Sequence, residues 1–361
     1  MTEKKKNKIL IISSIIFSLI LIEITLSIHS SIKKNKSLSS EEPGYLLYDQ
    51  GRTFMNKEKI VKYHPNKKIL TEAYYKINDD FKKAYSYEIT TNNFGLVQKN
   101  DLKKDVPSIL FLGDSFTEGQ GATSWIDKFD GKFREYQIIN GGILATGHQQ
   151  FELMEQHVSK KYDIEKVFLL FIGHDIRRSP FLIYENQMDC LNDYKKCKGN
   201  EIFFGFPISS EDPKNFLNFL SDQRIKNYEN IPLKKKIKNK VRGFFSNLYV
   251  IQIPLNFLRE KFYKSKNIKI KKNFAAIQRL YEKYRENIFF IHVLTRNEIL
   301  NGKTYESHFT EKFIQNLTDN LYFCDLNRNL DYFNSLDHHP NEDGYNNLFK
   351  CVNNIMKVKL D

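Results

Sequence analysis

A serine follows a short apolar run in the sequence FLGDSFTEGQG, residues 111–121. The run at 109–112 is entirely aliphatic or aromatic, which predicts a short buried strand ending near Gly113. Ser115 would then lie at the carboxyl end of that strand, where open α/β sheets place their functional sites. Two interpretations are open: these residues form the turn that ends the strand, or Ser115 is a nucleophile. The second interpretation requires a base, an orienting acid and oxyanion donors elsewhere in the chain.

A candidate base and acid occur in SLDHHPNEDGYNNL, residues 335–348. Pro340 disfavours a helical conformation in the residue before it, so Asp337 and His339 are predicted to lie in a loop. Their spacing allows the carboxylate to accept a hydrogen bond from Nδ1 of the imidazole while Nε2 faces a serine. His338 is an alternative base, and the same residues could form part of a metal site or a polar turn.

Two further segments offer donors for an oxyanion. In IINGGILATGHQQ, residues 138–150, the backbone N–H of Gly142 could approach a developing charge closely, because glycine has no side chain. In LLFIGHDIRR, residues 169–178, His174 follows another apolar run and could donate from its ring. The alternative for the glycines is an ordinary strand-to-helix turn. The two arginines that end the second segment could contact an acidic substrate, although surface solvation is the simpler expectation.

Alternating strand and helix patterns connect these segments. Apolar runs predict five strands, at 108–112, 137–140, 166–172, 288–294 and 320–326. Helical patterns are predicted at 149–161, 274–285 and 342–358. Strands that alternate with helices predict an α/β fold with a doubly wound parallel sheet. The polar segments follow the carboxyl ends of these strands, so we expect them to converge on one edge of the sheet.

Together these segments resemble the SGNH, or GDSL-type, hydrolase superfamily. GDSF at 113–116 resembles its first block, Asn-Gly-Gly at 140–142 its glycine block, and DHHPNEDG at 337–344 its last block. Gly-His-Asp at 173–175 stands where the family has Gly-x-Asn-Asp or Pro-Asn-Asp. TNNFGLVQ at 91–98 is similar to the segment before the first block in membrane-anchored members, which handle acyl groups on cell-envelope glycans.

The resemblance implies a three-layer α/β/α domain that performs acyl transfer through an acyl-serine. It implies that Ser115 is the nucleophile, His339 the general base and then acid, and Asp337 the residue that orients the imidazole. The oxyanion hole would combine the backbone N–H groups of Ser115 and Gly142 with the side chain of His174. No metal or organic cofactor is implied.

Two departures from the family pattern bear on this assignment. The last block usually reads Asp-x-x-His, whereas Asp337 and His339 are two residues apart, a shorter form that also occurs in the family. His174 replaces the asparagine that normally donates to the oxyanion. A neutral imidazole donates one hydrogen bond and an imidazolium two. The hole therefore survives with an altered pH dependence, or the protein has lost activity.

The expected function is a serine-dependent acyl-ester hydrolase that acts on an O-acylated cell-envelope carbohydrate or on a small ester. If a sugar hydroxyl rather than water reaches the acyl-enzyme, the protein is instead an O-acyltransferase. A catalytically silent envelope protein that binds a glycan or a partner with the same cleft is a third candidate, which His174 favours.

The N-terminus predicts a membrane anchor. Lysines within residues 1–8 precede ILIISSIIFSLILIEITLSI, residues 9–28, a run just long enough to span a bilayer as one helix. This charge placement predicts a cytoplasmic basic tip at 1–8 and a catalytic domain outside the cytoplasm, in the periplasm or at the cell surface. A cleaved signal peptide and a soluble apolar helix are the alternatives.

The remaining chain is expected to contain two regions. Residues 29–105 would form a polar tether and an irregular or β-rich apron, and residues 106–361 would form the SGNH-like domain. The alternation breaks at about 178–272, which predicts a helical insertion, because this segment is too long for a single crossover. At 233–248 a helical face of apolar residues opposes lysines, so this helix packs on the core or lies on anionic lipid.

Composition and cysteine placement bear on partners and compartment. The chain of 361 residues carries a net charge of +13, but it has no zinc-finger spacing or RNP-like aromatic motif, so no nucleic-acid partner is expected. Cys190 and Cys197 bracket a polar stretch and could form a local disulfide in an oxidising compartment. Cys324 and Cys351 are predicted to be small buried hydrophobic residues.

Overall fold

The structure is a computed structural model, and it describes most of the chain between residues 44 and 360. The described ranges are 44–49, 60, 62–77, 80–178, 193–199, 201, 205–208, 213–238 and 268–360, with isolated positions between 10 and 25 and between 187 and 190. The chain divides into two compact units. One comprises Ser40–Ile225 with Asn267–Asp361, and the other comprises Met1–Ser39 with Lys226–Lys266.

The described residues form strands that alternate with helices over much of the chain. The strands are β1 Tyr45–Tyr48, β2 Lys68–Ile77, β3 Asp80–Thr90, β4 Ser108–Gly113, β5 Gln137–Gly142, β6 Ile164–Phe171, β7 Phe206–Pro207, β8 Ile288–Val293 and β9 Leu321–Cys324. The helices are α1 Ser115–Glu118, α2 His148–Ser159, α3 Pro213–Glu229, α4 Ile268–Tyr284, α5 Arg296–Asn301, α6 Tyr305–Gln315 and α7 Glu342–Leu360.

The central sheet has five strands in the order β5-β4-β6-β8-β9, and every neighbouring pair is parallel. This confirms the predicted α/β fold with a five-stranded parallel sheet. The order reverses direction at β4, because β5 lies on one side of it and β6 on the other. Such a switch point is where open α/β sheets form a crevice at the carboxyl ends of their strands.

Strand β4 is apolar throughout because both faces of the sheet are covered. Ile109 and Phe111 point into a core that includes Leu348 of α7. Leu110 points into a second core that includes Phe151 of α2. Alternate residues of one strand thus enter two different cores, which gives the sheet a helical layer on each face.

A second, four-stranded sheet has the order β3-β2-β1-β7. The region was expected to be irregular or β-rich, and it is regular: β2 and β3 form a long antiparallel hairpin with one irregularity in register. Strand β3 alternates along its sequence, so that Tyr85, Tyr87 and Ile89 are buried while Ser86 and Glu88 are exposed. This alternation is typical of a strand that packs one face on a neighbouring layer.

The predicted membrane anchor and tether lie largely outside the described residues. Positions described between residues 10 and 25 are helical, and Leu10 and Phe17 among them are strongly exposed. Within the described part of the chain, no helix combines the length and apolar content needed to cross a bilayer.

The predicted basic helix at 233–248 is described only as far as residue 238, and residues 233–238 are helical. Leu233 and Ile237, four residues apart and therefore on one helical face, are 71% and 54% exposed. These two apolar side chains are therefore largely exposed.

The cysteines form two disulfides in the structure. Cys190 and Cys197 are bonded to each other, as the sequence allowed. Cys324 and Cys351 are also bonded, which corrects the prediction that they are separate buried hydrophobic residues. The pairing arises because the end of β9 lies against α7, a long-range contact that neither local sequence reveals.

Candidate active site

Ser115 is the first residue of the short helix α1, and only Asp114 separates this helix from the end of β4. Asp114 caps this helix, since its side chain accepts a hydrogen bond from the backbone N–H of Phe116 at 2.9 Å. The Asp114 side chain therefore shapes the turn, as expected. It holds Ser115 at the carboxyl edge of the central sheet, beside the switch point.

His339 and Asp337 lie in the loop between β9 and α7. Nε2 of His339 is 2.8 Å from Oγ of Ser115, and Nδ1 is 2.6 Å from Oδ1 of Asp337. The backbone N–H of His339 also donates to Oδ1 of Asp337 at 3.2 Å. The two-residue spacing therefore lets one carboxylate oxygen hold both the backbone and the ring of the histidine.

The same distances distinguish between the two candidate histidines. His339 makes the hydrogen bond to Ser115, whereas the side chain of His338 is exposed to solvent. Within the described residues, no group of three or more His, Cys, Asp and Glu side chains has the arrangement of a metal site.

Asp337 and His339 each stabilise the charged form of the other. Burial would raise the pKa of Asp337, but the facing His339 and hydrogen bonds from His339 and Tyr85 outweigh burial and lower this pKa below its usual value. Burial would lower the pKa of His339, but the Asp337 carboxylate and its hydrogen bond outweigh burial and raise this pKa. The carboxylate is thus ionised at neutral pH, and it stabilises an imidazolium once the ring takes a proton.

The structure corrects the assignment of Gly142 to the oxyanion hole. Its backbone N–H donates to Oδ1 of Asn140 at 3.0 Å, so this donor is already used. A Cβ at position 142 would lie only 2.4 Å from the backbone nitrogen of Glu118. Glycine is required here because β5 packs directly against α1, rather than because a substrate must approach.

The next amides of the same loop provide one alternative donor. The N–H of Ile143 donates to the carbonyl of Gly113 at 3.1 Å, and that of Leu144 donates to Oε2 of Glu118 at 2.6 Å. Ala145 follows with φ of 60°, in the left-handed region that non-glycine residues seldom adopt. Within the described part of the chain, the backbone N–H groups of Ala145 and Ser115 donate to no protein acceptor.

His174 lies in a short 3₁₀ helix that directly follows β6, next to β4 in the sheet. Its side chain is exposed and makes no hydrogen bond to Ser115 or to His339 in the described structure. Desolvation, with the charges of Arg177 and Arg178, lowers the pKa of His174. The neutral imidazole, which has one N–H, therefore predominates at neutral pH.

A buried ion cluster beside the site was not predicted from the sequence. Nη1 of Arg178 donates to Oδ2 of Asp114 at 2.9 Å and to the carbonyl of Thr146 at 3.0 Å. It also lies 3.1 Å from Oδ1 of Asp175. Arg178 thus connects the three loops that follow β4, β5 and β6, instead of being solvated as expected.

Neighbouring carboxylates control the ionisation of this cluster. Burial raises the pKa of Asp175 well above its usual value, the charge of Asp114 adds to this effect, and Arg178 opposes it. Burial would lower the pKa of Arg178, but the two carboxylates outweigh it and raise that pKa. Arg178 is thus the cation that pairs with Asp114 next to Ser115, whose Oγ is 3.4 Å from Oδ2 of Asp114.

No protein-family model and no curated protein matches the sequence. Several solved structures are similar to it. A member of the lipolytic protein G-D-S-L family from Veillonella parvula is 11% identical over 70% of this chain and 99% of that chain, with a TM-score of 0.35. A GDSL-like lipase from Bacteroides thetaiotaomicron is 12% identical over 70% and 88%, with a TM-score of 0.33. A lipase/acylhydrolase from Enterococcus faecalis is 10% identical over 70% and 97%, with a TM-score of 0.35.

Proposed function

We propose that the protein is a serine-dependent acyl-ester hydrolase that acts through an acyl-serine. The observation that carries this proposal is the unbroken line of hydrogen bonds from Ser115 through His339 to Asp337, with distances of 2.8 Å and 2.6 Å. Such a line activates a hydroxyl that is a weak nucleophile by itself.

The residues would act in the following order. Nε2 of His339 removes the proton from Oγ of Ser115 as the oxygen attacks the ester carbonyl carbon. The imidazolium, stabilised by the Asp337 carboxylate, then gives its proton to the departing alkoxide, which leaves an acyl-serine. Water attacks this ester with the same assistance from His339, which releases the acid and restores Ser115.

The oxyanion hole is proposed in a corrected form. The backbone N–H of Ser115 remains a donor, and the N–H of Ala145 takes the place of that of Gly142. The left-handed conformation of Ala145 supports this, since strained residues of this kind cluster at active sites. His174, at the end of the adjacent strand β6, is the proposed side-chain donor.

A fluorophosphonate probe tests the proposed nucleophile. We expect stoichiometric labelling of the purified protein at Ser115, because the probe reacts with a serine that a neighbouring imidazole activates. Peptide mapping by mass spectrometry identifies the labelled residue. Label on another serine, or no label on a folded protein, would contradict the proposal.

The proposed substrate is an O-acylated carbohydrate of the cell envelope. This refinement depends on the similarity of residues 91–98 to envelope members of the SGNH superfamily. Release of free acid from an acylated glycan supports hydrolysis, and appearance of the acyl group on an added sugar supports transfer. Binding of the glycan with neither product would support the silent envelope protein, the alternative that His174 favours.

We further propose that the protein is anchored by residues 9–28 and that its catalytic domain lies outside the cytoplasm. Pairing of Cys190 with Cys197 and of Cys324 with Cys351 supports an oxidising compartment, because disulfides are rare where thiols are kept reduced. The exposed apolar face at Leu233 and Ile237, beside lysines, also supports contact with lipid.

Thiol labelling of freshly lysed cells tests this location. All four cysteines should resist maleimide until a reductant is added, and all four should react afterwards, since each is paired. The mass of the intact protein reports the number of labels. Cys190→Ser is the matched control, because it should leave only Cys197 reactive before reduction. Labelling of all four cysteines without reductant would place the domain in a reducing compartment.

A further inference from the structure

The second carboxylate oxygen of Asp337 accepts a hydrogen bond from a residue of the four-stranded sheet, which contributes no residue to the proposed triad. Oδ1 faces His339, while Oδ2 accepts a hydrogen bond from the hydroxyl of Tyr85 at 2.7 Å. The two hydrogen-bonded residues are 252 positions apart in sequence. Tyr85 and Asp337 are both buried, with 8% and 6% of their surfaces exposed, so solvent does not readily replace this donor.

Tyr85 belongs to β3 of the four-stranded sheet. It occupies the buried face of that strand with Tyr87, and their ring centroids are 5.7 Å apart. Strand β3, which carries it, is paired with β2 at Tyr85 itself and on both sides of it, with one register shift at the adjacent Ala84. A paired strand thus supports the hydroxyl, whereas the loop that contains Asp337 has no strand partner of its own beyond one isolated bridge at Pro340.

The hydroxyl is held by a residue from the nucleophile's own loop. Nε2 of Gln120 donates to the hydroxyl oxygen of Tyr85 at 2.8 Å, so the hydroxyl hydrogen is directed to Asp337. The backbone N–H of Gln120 donates to the carbonyl of Ser115 at 3.0 Å. The hydroxyl of Tyr345, on α7, donates to the carbonyl of Gln120 at 2.8 Å.

These contacts close a ring that runs through Ser115, His339, Asp337, Tyr85 and Gln120 and returns to Ser115. We propose that Tyr85 is a positioning residue for the proposed reaction, which fixes the plane of the Asp337 carboxylate through Oδ2 so that Oδ1 stays aligned with His339. This inference rests on the proposed function. It makes the N-terminal hairpin a structural part of the active site.

Two properties suit Tyr85 to this task. A donor at Oδ2 opposes rotation of the carboxylate about its Cβ–Cγ bond, and Tyr85 supplies such a donor. Burial and the nearby Asp337 charge raise the pKa of Tyr85 well above its usual value, so the hydroxyl remains a donor across the pH range of the enzyme.

Tyr85→Phe tests the inference, because it removes one oxygen and keeps the ring. We expect kcat for an activated acetyl ester to fall about tenfold to a hundredfold, the range expected for a lost hydrogen bond to a charged group, with KM little changed. Without this donor the Asp337 carboxylate can turn away from His339, so that it stabilises the imidazolium less. The acidic limb of the kcat/KM profile should therefore move to lower pH, by about half a unit.

Tyr87→Phe is the matched control, since it removes the same atom from the neighbouring ring on the same face. We expect the acidic limb of its kcat/KM profile to stay at the wild-type pH. The inference is overturned if Tyr85→Phe has the same kcat and the same acidic limb of the kcat/KM profile as Tyr87→Phe. It is also overturned if kcat falls in Tyr85→Phe without a shift of the acidic limb, because that result would show a general structural role.

A measurement without turnover separates this inference from the proposed function. The pKa of the His339 ring can be followed by NMR of labelled imidazole in the wild type and in Tyr85→Phe. A lower pKa in the variant supports positioning even if no ester is cleaved. An unchanged or higher pKa refutes positioning even if Ser115 is labelled and the enzyme is active.

Discussion

Ser115→Ala is expected to lower kcat for a small activated acetyl ester by about 10⁴-fold or more, as removal of a nucleophile from a triad does elsewhere. The hydroxyl is the atom that would carry the acyl group, and no other side-chain oxygen in the described structure lies within hydrogen-bonding distance of Nε2 of His339 apart from Oγ of Ser115. Initial rates with purified protein measure the effect. The fold should be unchanged, which circular dichroism and thermal melting can verify.

The adjacent histidines provide the matched control for this prediction. His339→Ala should lose about as much activity as Ser115→Ala, because members of a triad act as a unit. His338→Ala should retain most of the activity, since the exposed His338 does not contact Ser115. The reverse pattern, with His338→Ala inactive and His339→Ala active, would show that the geometry described here is not the working one.

The sheet and the three proposed catalytic residues could be predicted because their signals are local. Strand β4 is apolar on both faces, and its neighbours in the sheet are similar runs followed by helical patterns. The Asp337-x-His339 spacing is set by a single loop, and Pro340 marks that loop in the sequence. Since parallel strands share a carboxyl edge, chain order alone predicted that Ser115 and His339 would meet.

The errors and omissions have a common physical cause, which is dependence on contacts between distant segments. Glycine at 142 suggested an open donor, but the requirement comes from the backbone of Glu118 packed against it. Tyr85 lies in a region that was expected only to be irregular or β-rich, and nothing in the sequence around it identified Asp337 as its partner. Arg178 looked like a surface residue because its two carboxylate partners follow different strands.

Arg178→Met is expected to destabilise the fold by about 3–5 kcal/mol, the usual cost of removing one partner from a buried charge pair. The substitution keeps much of the side chain's apolar length. It leaves Asp114 and Asp175 facing each other, with side-chain exposures of only 1% and 0%, and without their shared cation. Chemical denaturation of the wild type and the variant measures the difference in unfolding free energy.

Arg177→Met is the matched control, one residue away in the chain. Arg177 is 43% exposed and lies 3.3 Å from Glu306, so its loss should cost no more than about 1 kcal/mol, as for other surface ion pairs. A similar loss of stability in both variants would mean that the cluster around Arg178 is solvated. That result would remove the assigned role of Arg178 in holding Asp114 beside Ser115.

The pH dependence of the Arg178→Met defect tests the electrostatic origin directly. Burial and the Asp114 charge already raise the pKa of Asp175, and loss of Arg178 removes the charge that opposes them. Above a pH of about 4, Asp175 loses its proton in the unfolded chain but keeps it in the folded variant. Unfolding then releases a proton, so the variant's stability falls as pH rises. The defect relative to wild type should therefore be larger at pH 8 than at pH 5.

Asp175→Asn in the same chain should recover part of the loss at pH 8, because asparagine is neutral at every pH and needs no proton to remain buried. Asparagine also keeps an acceptor for the N–H of Ile172, which Asp175 binds at 3.0 Å. A defect that is the same at both pH values, with no recovery in the double variant, would show that Arg178 stabilises the three loops by packing alone.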